Sequence, residues 1–174
     1  GTLLETEYQV ELWLVNVLTR TSSKLSDLPI HAGMDNMLAW SSDSQSIWVK
    51  TYSEDAGPPT EASTTLTGVV VRQSSGGPLP AQTHQGLLRT QLDVDKFEYY
   101  FSSRLTEISL DGSHRIVGSA GIYRYFRSSP DNRYLLVERL VKPWSYLVDA
   151  DQFAFQLEVL DLEAEEIRSI ASTP

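Results

Sequence analysis

The sequence predicts an all-β fold, an incomplete β-propeller of about two and a half four-stranded antiparallel blades, with one or two short helices in a long insertion. Three observations predict it. Short runs rich in β-branched and aromatic residues recur along the chain, each bounded by Gly, Pro, Ser, Asn or Asp. Two kinds of strand pair repeat in alternation. The 174 residues, 41% of them hydrophobic, suffice for one domain with a core and are too few for two comfortable ones.

The strand runs are residues 8–19 (YQVELWLVNVLT), 46–52 (SIWVKTY), 67–73 (TGVVVRQ), 104–110 (RLTEISL), 121–126 (GIYRYF), 133–141 (RYLLVERLV) and 155–162 (FQLEVLDL). Residues 80–101 differ. There Leu87, Leu88, Leu92, Val94, Phe97, Tyr100 and Phe101 recur every three to four positions, interrupted by Gly86 and by Asp93 and Asp95, which predicts the helical content. From Ser53 to Pro80 the composition shifts to Pro, Gly, Ser and Thr. Strand signals resume afterwards, so residues 53–101 read as an insertion between two strands, either a surface excursion or a functional loop.

The repeats decide between a local hairpin and a larger array. Aligning WSSDSQSIWV (40–49) with SSPDNRYLLV (128–137) superposes Asp43 on Asp131, Ile47 on Leu135, Val49 on Val137, Trp40 on Ser128 and Leu38 on Phe126. A second set aligns Leu12, Val15 and Val17 with Leu105, Ile108 and Leu110 and with Leu157, Leu160 and Leu162, each followed after a polar turn by Leu25, Ile116 or Ile167. The alternation gives half a blade at 8–29, a blade at 34–118 carrying the insertion, and a blade at 119–171. Blades stacked face to face bury both sides of a strand and leave apolar faces open where the wheel is incomplete, which predicts either self-association or a larger parent protein. A self-contained β-sandwich built from the same strands stays open as an alternative.

Charge and motifs exclude several function classes. Fourteen basic against twenty-three acidic residues leave a net charge of −9, which disfavours nucleic acid and anionic membranes as partners. The chain has no cysteine, hence no disulfide, thiolate metal site or cysteine nucleophile. No run approaches eighteen apolar residues, and the acidic first fifteen residues do not resemble a signal peptide, so the compartment stays undetermined. G-x-S-x-G, H-E-x-x-H and phosphate-binding glycine loops are missing. His31, His84 and His114 stand apart in polar or turn contexts and are expected to be solvated or locally hydrogen-bonded. The acids Asp149, Asp151, Asp161, Glu163, Glu165 and Glu166 read as a solvated surface without calcium-loop spacing. No catalytic residue, metal or cofactor is implied.

Two features have a sharper reading. Arg124, Arg127, Arg133 and Arg139 fall within sixteen residues of an otherwise acidic chain, either as strand arginines paired with nearby acids or as a functional cluster. Pro143 and Trp144 follow a strand exit, and an indole there packs between blades or contacts a ligand.

Several blocks, in order, resemble a known family. TGVVVRQ, THQGLLR, DKFEYYFSSRL, GIYRYFRSSPDNRYLLVERLVKPWSYLV and FQLEVLDL are similar to segments of the N-terminal propeller of prolyl oligopeptidase-family serine peptidases, glutamyl endopeptidase-like branch, over about residues 36–163. Gly86, Asn132 and Trp144 depart from that branch's Asp, Gly and Phe or Tyr. The resemblance implies a soluble, non-catalytic propeller portion that gates peptide access to a C-terminal α/β-hydrolase domain carrying the Ser-Asp-His triad, a domain absent from this chain, which alone is expected to be inactive. It also implies a peptide substrate, with Arg124, Arg139, Lys142 and Trp144 as candidate substrate contacts. The alternative is a protein-binding propeller or β-sandwich module with no hydrolase attached.

Overall fold

A computed structural model describes residues 10–52, 59 and 87–173. The strands are β1 (Val10–Asn16), β2 (Thr21–Ile30), β3 (Leu38–Trp40), β4 (Ser46–Tyr52), β5 (Ser103–Ser109), β6 (His114–Ser128), β7 (Tyr134–Leu140), β8 (Phe155–Asp161) and β9 (Glu166–Ser172). One helix, α1 (Gln91–Phe101), precedes β5, and a 3-10 turn spans Ala150–Gln152. The fold is all-β in character. Every pairing is antiparallel, along an open path β1-β2-β4-β5-β6-β7-β8-β9, with β3 off this path and paired to β4 on the edge opposite β5.

The repeated hairpins share one register. Leu38 pairs with Val49 and Trp40 with Ile47, while the aligned residues Phe126 and Ser128 pair with Val137 and Leu135. Their turns are closed alike. Ser41 Oγ and Ser129 Oγ each donate to the Asp two residues on, and each accepts a backbone N–H five residues on, from Ser46 and Tyr134. Ser44 and Asn132 take left-handed φ values of +60° and +56° at equivalent positions. Asn suits that conformation because its short polar side chain bonds locally.

The hand-over between strand groups occurs inside β6. Its first part pairs with β5 from His114 to Gly121, with a register shift between Val117 and Gly121, and its last part pairs with β7 from Ile122 onward. Gly118, at φ +71°, lies within that register shift, and a side chain there would also press on Leu160. The GIYRYF run is thus the second half of a longer strand; periodicity alone could not show that β5 and β7 use different halves of it.

Both faces of β4 and β5 are buried, because cross-strand partners share a face. On one face Ile47, Val49 and Ile108 meet Leu12 and Ile30. On the other Trp48 and Leu105 meet Tyr123, Phe126, Leu135, Val137, Leu160 and Leu162. Full burial of each large apolar side chain stabilises by about 1.5–3 kcal/mol relative to exposure. Outward faces remain open: Trp13 and Val15 on β1, Leu38 and Trp40 on β3, and all of β9 are exposed.

The insertion leaves and re-enters the sheet at one point, since Tyr52 and Ser103 are cross-strand neighbours. Among the described residues its helical part is α1 alone. Thr90 caps it: its side chain accepts from the Asp93 amide, and Asp93 accepts from the Thr90 amide. The apolar spacing holds for Leu88, Val94 and Phe97, which are buried, whereas Tyr100 points to solvent. The run at 67–73 and His84 lie outside the described residues.

Candidate functional site

Three of the four candidate contacts converge on one cleft of about 310 Å³, lined by Glu98, Ser102, Gly121, Arg139, Lys142 and Trp144 among others. The sequence brings them together in three steps. Leu140 ends β7 with its side chain in the core beneath α1, and the chain then turns through a cis Lys142–Pro143 bond. Trp144 follows and packs against Phe97 of α1 edge-on at 5.3 Å and against Phe153 in a stacked pair at 5.6 Å. Its role is therefore to seat the 141–153 segment on the helix, not to wedge between strand groups.

Glu98, which sequence reading did not single out, organises the rim. Its Oε1 accepts the Trp144 Nε1–H at 2.6 Å and faces the Lys142 ammonium at 2.6 Å. Lys142 is still two-thirds exposed. Arg139 forms the floor: its Nε and Nη2 reach Glu158 Oε2 and Oε1 at 3.2 and 2.7 Å, and Nη2 also reaches Gln156. Glu158 is almost wholly buried, so this fork neutralises a charge that would otherwise be stranded. Gly121 permits the packing, because a Cβ there would come within 2.8 Å of Arg139 Cδ.

Arg124 does not join them. Strict alternation puts it on the face of Ile122 and Phe126, but β6 has a bulge between Tyr123 and Tyr125. The bulge lets both Tyr123 and Phe126 enter one core and leaves Arg124 outside that core, its side chain still largely buried. There it pairs with Glu138, donates to the Asp151 carbonyl at 2.8 Å and lies over the Phe155 ring. Arg127 lines a separate concavity with Ser42 and Tyr134, and Arg133 pairs with Asp161. The arginine cluster of the sequence is thus dispersed, mostly into ion pairs.

Two buried ionisable groups behind α1 were also not foreseen. His31 is buried; its Nε2 lies 2.8 Å from the Tyr100 carbonyl and its Nδ1 accepts the Gly33 amide at 3.2 Å. Burial holds its pKa below the ordinary histidine value. Lys50 has no exposed surface, and its ammonium donates to the carbonyls of Gly33, Met34 and Tyr123. Desolvation pulls its pKa down to about 8, opposed by Asp35. A signal for Lys50 existed, since a strand buried on both faces must bury its lysine too. His31 gave none.

With both ring nitrogens taken by backbone groups, His31 has no capacity left to act as base to a serine. His114 is exposed. What the cleft offers is contact chemistry: an accessible ammonium, a carboxylate and an indole edge around a cationic floor that is already paired.

Comparison with known proteins bears on what such a surface serves. The chain is 27% identical over 173 residues to "Probable glutamyl endopeptidase, chloroplastic" of Oryza sativa subsp. japonica, covering 97% of this chain and 18% of that protein. It is 35% identical over 119 residues to the protein of the same name from Arabidopsis thaliana, covering 68% of this chain and 11% of that protein. These likenesses support a peptidase-related family. The chain spans less than a fifth of the length of these glutamyl endopeptidase relatives. No protein-family model matches it.

Proposed function

We propose that this chain is the non-catalytic propeller portion of a glutamyl endopeptidase-like serine peptidase of the prolyl oligopeptidase family, in which it gates peptide access to an α/β-hydrolase domain. The likeness to two glutamyl endopeptidase relatives, reaching 97% of the chain in one of them, carries the reading. The geometry supports it through the repeated strand register and the two-sided burial of β4 and β5. In this reading β1 and β2 form a half blade, β3 to the first part of β6 a blade, and the rest of β6 to β9 another. The open apolar faces are where further blades would stack, and the cleft beside Trp144 is a surface for passing peptide. Lys142 is its accessible cation; Arg139 shapes the floor and Arg124 lies apart.

The test joins sequence to activity. In the complete coding sequence, a G-x-S-x-G followed by Asp and His is expected downstream, and its absence overturns the proposal. The 174-residue chain itself is expected to leave a peptide with glutamate at the cleavage position intact, and turnover by it would show that the chemistry lies here instead.

A further inference from the structure

We propose that His31 is a proton-sensitive latch that fastens the C-terminal end of α1 to the sheet, and with it the Glu98 wall of the cleft. The geometry fixes the ring's state. A carbonyl can only accept, so Nε2 bears the hydrogen that reaches Tyr100 O at 2.8 Å, and Nδ1 uses its lone pair on the Gly33 amide at 3.2 Å. The bound ring is therefore neutral. Adding a proton at Nδ1 sets N–H against N–H, which cancels the Gly33 bond and places a cation in the interior.

Burial and the neighbouring Lys50 charge make that cation costly, opposed by the Tyr100 carbonyl at the end of the helix. From β4 come the fully buried Lys50, whose charge further disfavours a second one, and Tyr52, edge-on at 4.8 Å. From α1 comes the Tyr100 backbone. The 31–37 loop contributes Asp35, whose charge acts on Lys50. Both hydrogen-bond partners of the ring are backbone groups, so no carboxylate bonded to it offsets the charge among the described residues. The ring also has little room to turn aside: a Cβ at Gly33 would lie 2.6 Å from His31 Cε1 and 3.2 Å from the Phe101 ring.

Release is local because the attachment is local. The sheet core around Trp48 and Phe126 contains no residue of α1. The helix is held by His31, by Val94 and Phe97, and by Glu98 on Lys142 and Trp144. Loss of the latch therefore loosens α1 and opens the cleft while the strands stay paired. This inference does not depend on the peptidase reading, because its readout is helix protection.

Hydrogen–deuterium exchange of the 174-residue chain, followed from about pH 7.5 to about pH 5 and corrected for intrinsic rates, tests it. Peptides covering residues 88–102 are expected to lose protection by up to about tenfold per pH unit below about pH 6.5, while those from β4, β5 and β7 keep theirs. His31→Gln, which keeps a side-chain N–H but takes no proton, should abolish the pH response. Lys50→Met, which removes the neighbouring cation, should move the midpoint to higher pH. Helix protection that ignores pH in the wild-type chain, falls together with the sheet, or responds equally in His31→Gln overturns the proposal. If neither variant folds, the wild-type contrast between helix and sheet decides it alone.

Discussion

The amide of Ser42 donates to Asn132 Oδ1 at 2.8 Å, joining two hairpin turns ninety residues apart. Ser42 Oγ reinforces the link by donating to the Ser129 carbonyl at 2.8 Å. Asn132 thus does two things at once: it adopts φ +56° in its own turn and fastens the neighbouring one. Asn132→Ala should cost about 1–2 kcal/mol for the left-handed backbone and about 1 kcal/mol for the lost bond. Asn132→Gly should recover the first and not the second. Urea midpoints of the three chains check this, and equal losses in both variants would refute the division.

Phe126 and Ile170 separate core from open face. Phe126 is wholly buried against Trp48 and Leu135, whereas Ile170 on β9 is more than half exposed. Phe126→Ala should lower stability by about 3–5 kcal/mol, and Ile170→Ala by less than about 0.5 kcal/mol. Thermal unfolding distinguishes them.

Lys50 gives stability a basic-side pH dependence. Its folded pKa of about 8 lies below the ordinary 10.5, so the folded chain releases this proton first. Between those values the unfolded state holds more protons, and stability rises with pH by at most roughly 3 kcal/mol, at 1.36 kcal/mol per unit. Below about pH 8 the ammonium is present in both states and this dependence vanishes. Lys50→Met should flatten the rise, measured as urea midpoints across that window against the wild-type chain.

Arg139 and Lys142 line one cleft yet should behave oppositely. Removing Arg139 strands the buried Glu158 carboxylate and should cost about 3–5 kcal/mol. Lys142 is two-thirds exposed, so Lys142→Ala should change stability by less than about 1 kcal/mol. If Arg139→Ala proves as mild as Lys142→Ala, the floor is not the structural ion pair described here. Any effect of Lys142 on a bound peptide can then be read without a folding correction.

The all-β character, the strand runs at 46–52, 104–110 and 155–162, and the hairpin register were legible because alternation and turn chemistry are local properties. Leu38 and Phe126 aligned in sequence and hold equivalent cross-strand positions in the fold. Trp144 was marked as distinctive for the same reason, since an indole beside a proline after a strand exit needs a partner.

Its partner could not be named from the sequence. Glu98 comes from a helix some forty-six residues away, and only the packing of Phe97 on Trp144 brings it there. The surroundings of Arg124 were not legible either, because a single-residue bulge interrupts the alternation from which a strand residue's face is read.

By itself the sequence determined where β1, β4, β5, β7 and β8 form and which hairpin positions repeat, because those follow from side-chain period and backbone preference one segment at a time. Only the tertiary structure decided which charges are spent in ion pairs, which remain accessible, and that His31 is buried beside Lys50. Burial and pairing depend on groups far apart in the chain, and the desolvation that makes these two residues sensitive to pH exists only once those segments close over them.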